Sequence, residues 1–116
     1  MIKTKRVYDD KSGDDGYRIL VDRIWPRGIS KEDAGHDGWL KDVAPSDELR
    51  KWFGHDEKKW DEFKEKYFDE LREKDEQVEK IREAEKEHDT VTLLYAAKDT
   101  GHNNAIALME FLENKQ

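Results

Sequence analysis

Residues 17–31 read YRILVDRIWPRGISK, and the fold follows from how that stretch is parsed. Ile19, Leu20 and Val21 form an apolar run that climbs into Asp22 and Arg23. Trp25-Pro26-Arg27-Gly28 then breaks it, since proline and glycine interrupt regular backbone. A second segment has the same design: Val91 to Ala97 is apolar, and Lys98, Asp99, Gly101, His102, Asn103 and Asn104 follow it. A short apolar run bounded by turn residues reads as a strand buried on both faces, as in a parallel sheet. Buried strands that end in charged loops form the binding crevice of an open α/β sheet.

Working outward, Ile2 to Tyr8 alternates Lys and Arg with Ile, Thr and Val, the pattern of a half-exposed strand. Asp9 to Gly16 is turn chemistry, and Tyr17 to Ile24 is predicted as a central strand. Ser30 caps a short helical turn. Trp39 to Val43 fits either a third short strand or an anchored loop. Ser46 after Pro45 is an N-cap for a helix carrying Leu49, Trp52 and Phe53 and ending at Gly54. Asp56 caps the next helix, where Trp60, Phe63, Tyr67 (or Phe68) and Leu71 recur at helical spacing. Asp75 to His88 is a third helix with a thin stripe of Val78, Ile81 and Ala84. Thr90 to Ala96 is the buried strand, and His102 or Asn103 starts a last helix. Strand, strand, helices, strand, helix is an α/β order that needs a crossover. Residues 1–116 therefore read as one domain, a small parallel or mixed sheet flanked by helices.

The chain has 116 residues, 34% hydrophobic and 44% charged, with four tryptophans and no cysteine. The core is small, the surface is ionic, and thiolate nucleophiles and cysteine-ligated metals are excluded. The N-terminus lacks an apolar signal region and no run reaches the length of a membrane helix, so a cytoplasmic protein with no membrane partner is expected. The net charge is −7. Residues 1–55 hold 11 basic and 11 acidic side chains, and residues 56–116 hold 11 and 18. All the excess acid thus lies in the second half. Arg18, Arg23, Arg27 and Lys31 make the first loop locally basic against Asp22 alone. A small anionic or nucleotide-like molecule is the partner this favours. The acidic body disfavours long duplex DNA, while contact with other nucleic acid and the oligomeric state are left open.

Arginine forks suit phosphate or carboxylate, and the start of the last helix adds backbone N–H groups. Asp22, Arg23, Trp25, Arg27, Ser30, His55, Lys98, His102, Asn103 and Asn104 are the expected ligand-binding residues on these grounds. Trp25 or Trp39 offers a stacking face, although Trp39 reads first as core. Arg50 and His55 flank the Trp52-Phe53 pair as a third side of the crevice. Asp22 beside arginine is expected to have a lowered pKa, which makes it a poor base. Ser30, His55 or His102, with Asp22, supply triad residue types, but no G-x-S-x-G elbow accompanies them. His36, His55, His88 and His102 lack zinc-site spacing, and no glycine-rich nucleotide loop is present. Neither a metal nor a cofactor is expected. The alternatives to a binding crevice are a small hydrolase or transferase using Asp22 or His102, and a module whose acidic helices dock a basic partner.

Three segments, VDRIWPRGISKE, APSDELRKWFGHD and TLLYAAKDTGHNNA, resemble the signature segments of a bacterial family. It is the YeaO-like branch of the domain of unknown function numbered 488, and the resemblance covers nearly the whole chain. It implies a small cytoplasmic protein without an established activity. Asp22, Arg23, Trp25, Pro26, Arg27, Gly28, Trp52, Gly54, His55, Tyr95, His102 and Asn103 fall at its motif positions, which adds Tyr95 to the expected site. The broader family often carries a Cys after the last strand's Leu-Leu and a Cys-His-Arg triplet at the last helix. Here Tyr95 and Asn103-Asn104-Ala105 occupy those places, so thiol chemistry does not carry over. The uroporphyrin C-methyltransferase label borne by some relatives needs a two-lobed pocket, and this chain has neither the length nor the cofactor loop for one.

Overall fold

The two apolar runs lie side by side. In the computed structural model, which describes residues 1–114, β1 (Ile2–Arg6), β2 (Tyr17–Leu20), β3 (Gly38–Trp39) and β4 (Val91–Tyr95) form one sheet in the order β1-β4-β2-β3. Every pairing is parallel, with Leu20 opposite Leu94 and Arg6 opposite Tyr95. The expectation of a parallel or mixed sheet thus resolves to a wholly parallel one in an α/β fold. The last strand in sequence enters between the first two, and all five of its residues are buried.

Side chains alternate across the sheet. Ile19, Val21, Val91, Leu93 and Tyr95 share the main core with the helices. Leu20 and Leu94 face the other side, in a smaller cluster with Val7, Ala34, Trp25 and Trp39. Over the main core lie α2 (Asp47–Phe53), α3 (Trp60–Arg72), α4 (Asp75–His88) and α5 (Asn104–Glu113). Among the described residues, the one-turn α1 (Lys31–Ala34) is the only α-helix on the second face. That face is completed by polar groups. Arg18, 1% exposed, bonds Asp15 and the carbonyls of Ala34 and Gly35, and Lys5 reaches Asp15 as well.

The caps act as the sequence suggests. Ser46 accepts from Leu49 N, Ser30 from Asp33 N, and Gly54 closes α2 in the left-handed region. In α3 the buried positions are Phe63, Tyr67 and Leu71, each worth about 1.5–3 kcal/mol of burial. Several boundaries differ from expectation. Asp56 caps a 3-10 turn, Glu57–Lys59, that leads into α3. Trp39 ends a two-residue strand, and Lys41–Val43 is a second 3-10 turn. β1 stops at Arg6. β2 stops at Leu20 rather than Ile24: Val21 N still donates to Leu94 O, but the Asp22 carboxylate takes Ala96 N at 2.9 Å. A side chain there replaces the backbone acceptor, and the ladder ends.

Candidate functional site

Because β1, β2 and β4 run parallel, their exits open at one end of the sheet. The chain leaves β2 toward α1 on one face and leaves β4 toward α5 on the other. A crevice at the carboxyl ends is the geometric consequence of exits that diverge in this way. It is a cleft of about 550 Å³, lined from β2 by Asp22 through Arg27, from α2 and its C-cap by Arg50, Phe53 and His55, and from the β4–α5 connection by Ala96, Ala97, Asn103 and Asn104. Tyr8, Ala44, Pro45 and Phe63 complete it.

Asp22 lies at its floor. One carboxylate oxygen accepts from Ala96 N at 2.9 Å and the other from Asn104 Nδ2 at 3.0 Å. The same amide donates to Val21 O at 3.1 Å, so the first turn of α5 is tied to the end of β2. Burial raises the Asp22 pKa above its ordinary value, against the opposing pull of the Asn104 and Ala96 hydrogen bonds and the Arg50 charge. This corrects the expected lowering. The adjacent Arg23 is directed elsewhere, with Nη2 on Ala44 O at 3.1 Å and Nε near Pro45 O at 3.4 Å. Desolvation outweighs the one arginine that does act on Asp22.

The segment receiving Arg23 is held on several sides. Lys74 Nζ donates to Ala44 O, Tyr67 OH to Val43 O at 2.6 Å, and Ser46 donates through N and Oγ to Glu70. These bonds fix Pro45 and the start of α2, and with them the placement of Phe53 and Arg50. Trp25 donates to Ile29 O and meets Trp39 edge to face at 5.4 Å. Trp39 donates to Asp22 O at 2.7 Å. Trp25 therefore forms a cleft wall and Trp39 braces it from behind.

Arg27 is exposed. Its carbonyl accepts from Tyr8 OH at 2.7 Å, while its guanidinium has no hydrogen bond or ion pair among the described residues. Arg50 makes one exposed ion pair, to Asp47 at 3.3 Å. His55 follows Gly54 with φ of 59°, a left-handed conformation that costs a non-glycine residue on the order of 1 kcal/mol.

Of the residues the sequence singles out, Asp22, Arg23, Trp25, Arg27, His55, Asn103 and Asn104 line this one cleft. Ser30, Tyr95, Lys98 and His102 do not. Ser30 caps α1, Tyr95 is 2% exposed within the main core, and Lys98 is exposed beyond β4. The His102 ring faces Asp99, with Nδ1 3.1 Å from one oxygen, and meets Trp60 edge on. Asn103 lines the cleft only as a cap: Oδ1 accepts from Ile106 N and Nδ2 donates to Asp99 O. Tyr8 and Pro45 have no chemical signature in the sequence. Tyr8 is reachable only by noticing that β1 exits beside β4.

Among the described residues, Glu57, Asp99 and His102 bring one ligand-type atom each within 4.8 Å of one another. The Asp99 oxygens already accept from Gly101 N, His102 N and the His102 ring, and these bonds hold its pKa below the ordinary value.

The whole chain, residues 1–116, matches the family described as the inactive DUF488-N3 subclade. The chain belongs to this family. The chain is 43% identical to the uncharacterized protein YeaO of Escherichia coli K12, over 97% of each chain. It is 57% identical over 54 residues to the uncharacterized proteins Mb3100c of Mycobacterium bovis and Rv3073c of Mycobacterium tuberculosis, spanning 47% of this chain and 46% of each of theirs. No solved structure matches it. Among the described residues of this DUF488 protein, no helix is long and apolar enough to cross a membrane.

Proposed function

We propose that this DUF488 protein binds a small anionic, nucleotide-sized ligand in the cleft between the exits of β2 and β4. The observation that carries the reading is Arg27. It is a guanidinium without a partner among the described residues, on a cleft shared with Arg50 and His55. Surface arginines are common, but three cationic or imidazole groups around one concavity of about 550 Å³ fall within the range for small-ligand pockets. The backbone of His55 supports the same reading, since strain at a non-glycine residue is retained where a side chain has to be aimed. The family's description as inactive accords with binding rather than turnover.

A second reading, proton transfer at Asp22, is supported by the burial that raises its pKa. His102, the other residue of that reading, lies outside the cleft lining.

Thermal unfolding with inorganic phosphate, sugar phosphates and nucleotides, on wild type, Arg27→Ala and Arg50→Ala, tests the proposal. A ligand at about 100 times its Kd stabilises by about 2.7 kcal/mol, roughly a 10 °C rise for a chain of this size. The expected result is a rise with at least one phosphate compound that both variants diminish. No rise across the panel, or one unaffected by either substitution, overturns it and favours the acidic helices docking a basic partner. Turnover of a bound compound that vanishes in Asp22→Asn would establish the second reading.

A further inference from the structure

The polarity of the cleft is divided by depth. Arg27, Arg50 and His55 are exposed, whereas Asp22 is partly buried beside the buried Phe53 and Phe63. An ionised carboxylate has about four acceptor positions on its two oxygens. The protein fills two of Asp22's, from Ala96 N and Asn104 Nδ2. The nearby donors are directed elsewhere: Asn104 Nδ2 also serves Val21 O, Arg23 directs Nη2 and Nε to Ala44 O and Pro45 O, and Arg50, whose charge reaches Asp22, hydrogen-bonds Asp47 instead. Asp22 is thus an acceptor short of donors at the bottom of a largely apolar recess. A phosphate at that depth would be repelled by it. A group with N–H donors would complete its hydrogen bonds, and such bonds strengthen where water is excluded.

Resting on the binding role proposed above, we propose that the ligand is two-ended, a guanine-type nucleotide. Its phosphate meets Arg27 and Arg50 at the rim, and its adjacent ring N–H and exocyclic amine face Asp22 at the floor. The flat shape follows from the aromatic side chains of the lining that remain accessible, the half-buried Trp25 and the exposed Tyr8. The two-donor edge follows from the two carboxylate oxygens it would meet. A base that offers an acceptor beside its amine, as adenine does, sets a lone pair against the carboxylate.

Calorimetric titration of guanosine, inosine and adenosine monophosphates, ribose phosphate, and guanosine monophosphate methylated on the ring nitrogen tests this. Wild type is expected to bind guanosine monophosphate at least about tenfold more tightly than adenosine monophosphate, the scale of one charge-assisted hydrogen bond. Inosine monophosphate, which lacks the amine, should fall between, and the methylated compound should lose the preference. Asp22→Asn should remove the discrimination between guanosine and adenosine monophosphates. Arg27→Ala and Arg50→Ala should weaken all the phosphates by a common factor. Equal binding of the four nucleotides by wild type refutes the donor-edge inference while leaving the anion-binding role standing, and so does a preference that survives in a folded Asp22→Asn. Absence of binding by every compound, with both arginine variants silent, refutes both. The ligand series on wild type decides the matter even where Asp22→Asn does not fold.

Discussion

Two arginines four residues apart, Arg23 and Arg27, are expected to respond oppositely to truncation. Arg23 Nη2 donates to Ala44 O at 3.1 Å, and its Nε lies 3.4 Å from Pro45 O, at the long limit for a hydrogen bond. A charge-assisted bond contributes about 1.5–3 kcal/mol net. The low end applies here, because Ala44 O keeps a second donor in Lys74 Nζ at 3.0 Å. The long bond to Pro45 adds roughly 0.5 kcal/mol. Against this, burial foremost, and then the Arg23 charge, hold the Lys74 pKa below its ordinary value. Removing Arg23 also relieves that repulsion, which keeps the net loss toward the low end of the range. The sum is a loss of about 1.5 kcal/mol for Arg23→Ala, or roughly 6 °C in Tm. Arg27→Ala removes an exposed guanidinium that has no partner among the described residues and leaves the backbone carbonyl that Tyr8 OH uses, so its cost stays within about 0.5 kcal/mol. Urea unfolding of the two variants, read at constant m, decides the matter. An Arg27→Ala loss equal to that of Arg23→Ala would show that Arg27 supports the loop, and its assignment to the ligand would fall.

Three further outcomes can be checked by the same unfolding measurements. Gly16 has φ of 64° and ψ of −135°, and a Cβ there would sit 2.2 Å from Thr90 O, the acceptor of the Tyr17 N–H. Gly16→Ala should therefore lose about 3 kcal/mol or more, and a loss under about 1 kcal/mol would contradict the geometry. Burial holds the folded pKa of Asp22 above its ordinary value of 3.8, so the folded state holds that proton more tightly. Stability relative to Asp22→Asn should fall as pH rises from about 3.8 through the raised folded value and be level above it. A relative gain over that window reverses the sign and refutes the burial argument. His55→Gly releases a left-handed backbone and should match wild type or exceed it by up to about 1 kcal/mol. A clear loss would mean that the His55 ring is structural.

The apolar runs Ile19–Val21 and Val91–Ala97, the cap at Ser46 and the helical spacing of Trp60, Phe63 and Leu71 are local facts of spacing and side-chain type. The sequence alone determined them, and with them the α/β class, because a strand buried on both faces and a helix with one apolar stripe are each written in consecutive residues. Tertiary structure decided what those elements bring together. Arg23 and Arg27 look alike in sequence, but whether a guanidinium meets a carbonyl depends on residues 44–45, about twenty positions on. The acidity of Asp22 depends first on its burial in the folded chain, which raises its pKa, and then on the opposing Asn104 and Ala96 hydrogen bonds and Arg50 charge. His102 reads as a site residue from its neighbours, yet its ring turns toward Asp99 and Trp60. Periodicity records which face of an element is buried. It does not record which distant donor or charge arrives there, and in this protein those arrivals set the chemistry of the cleft.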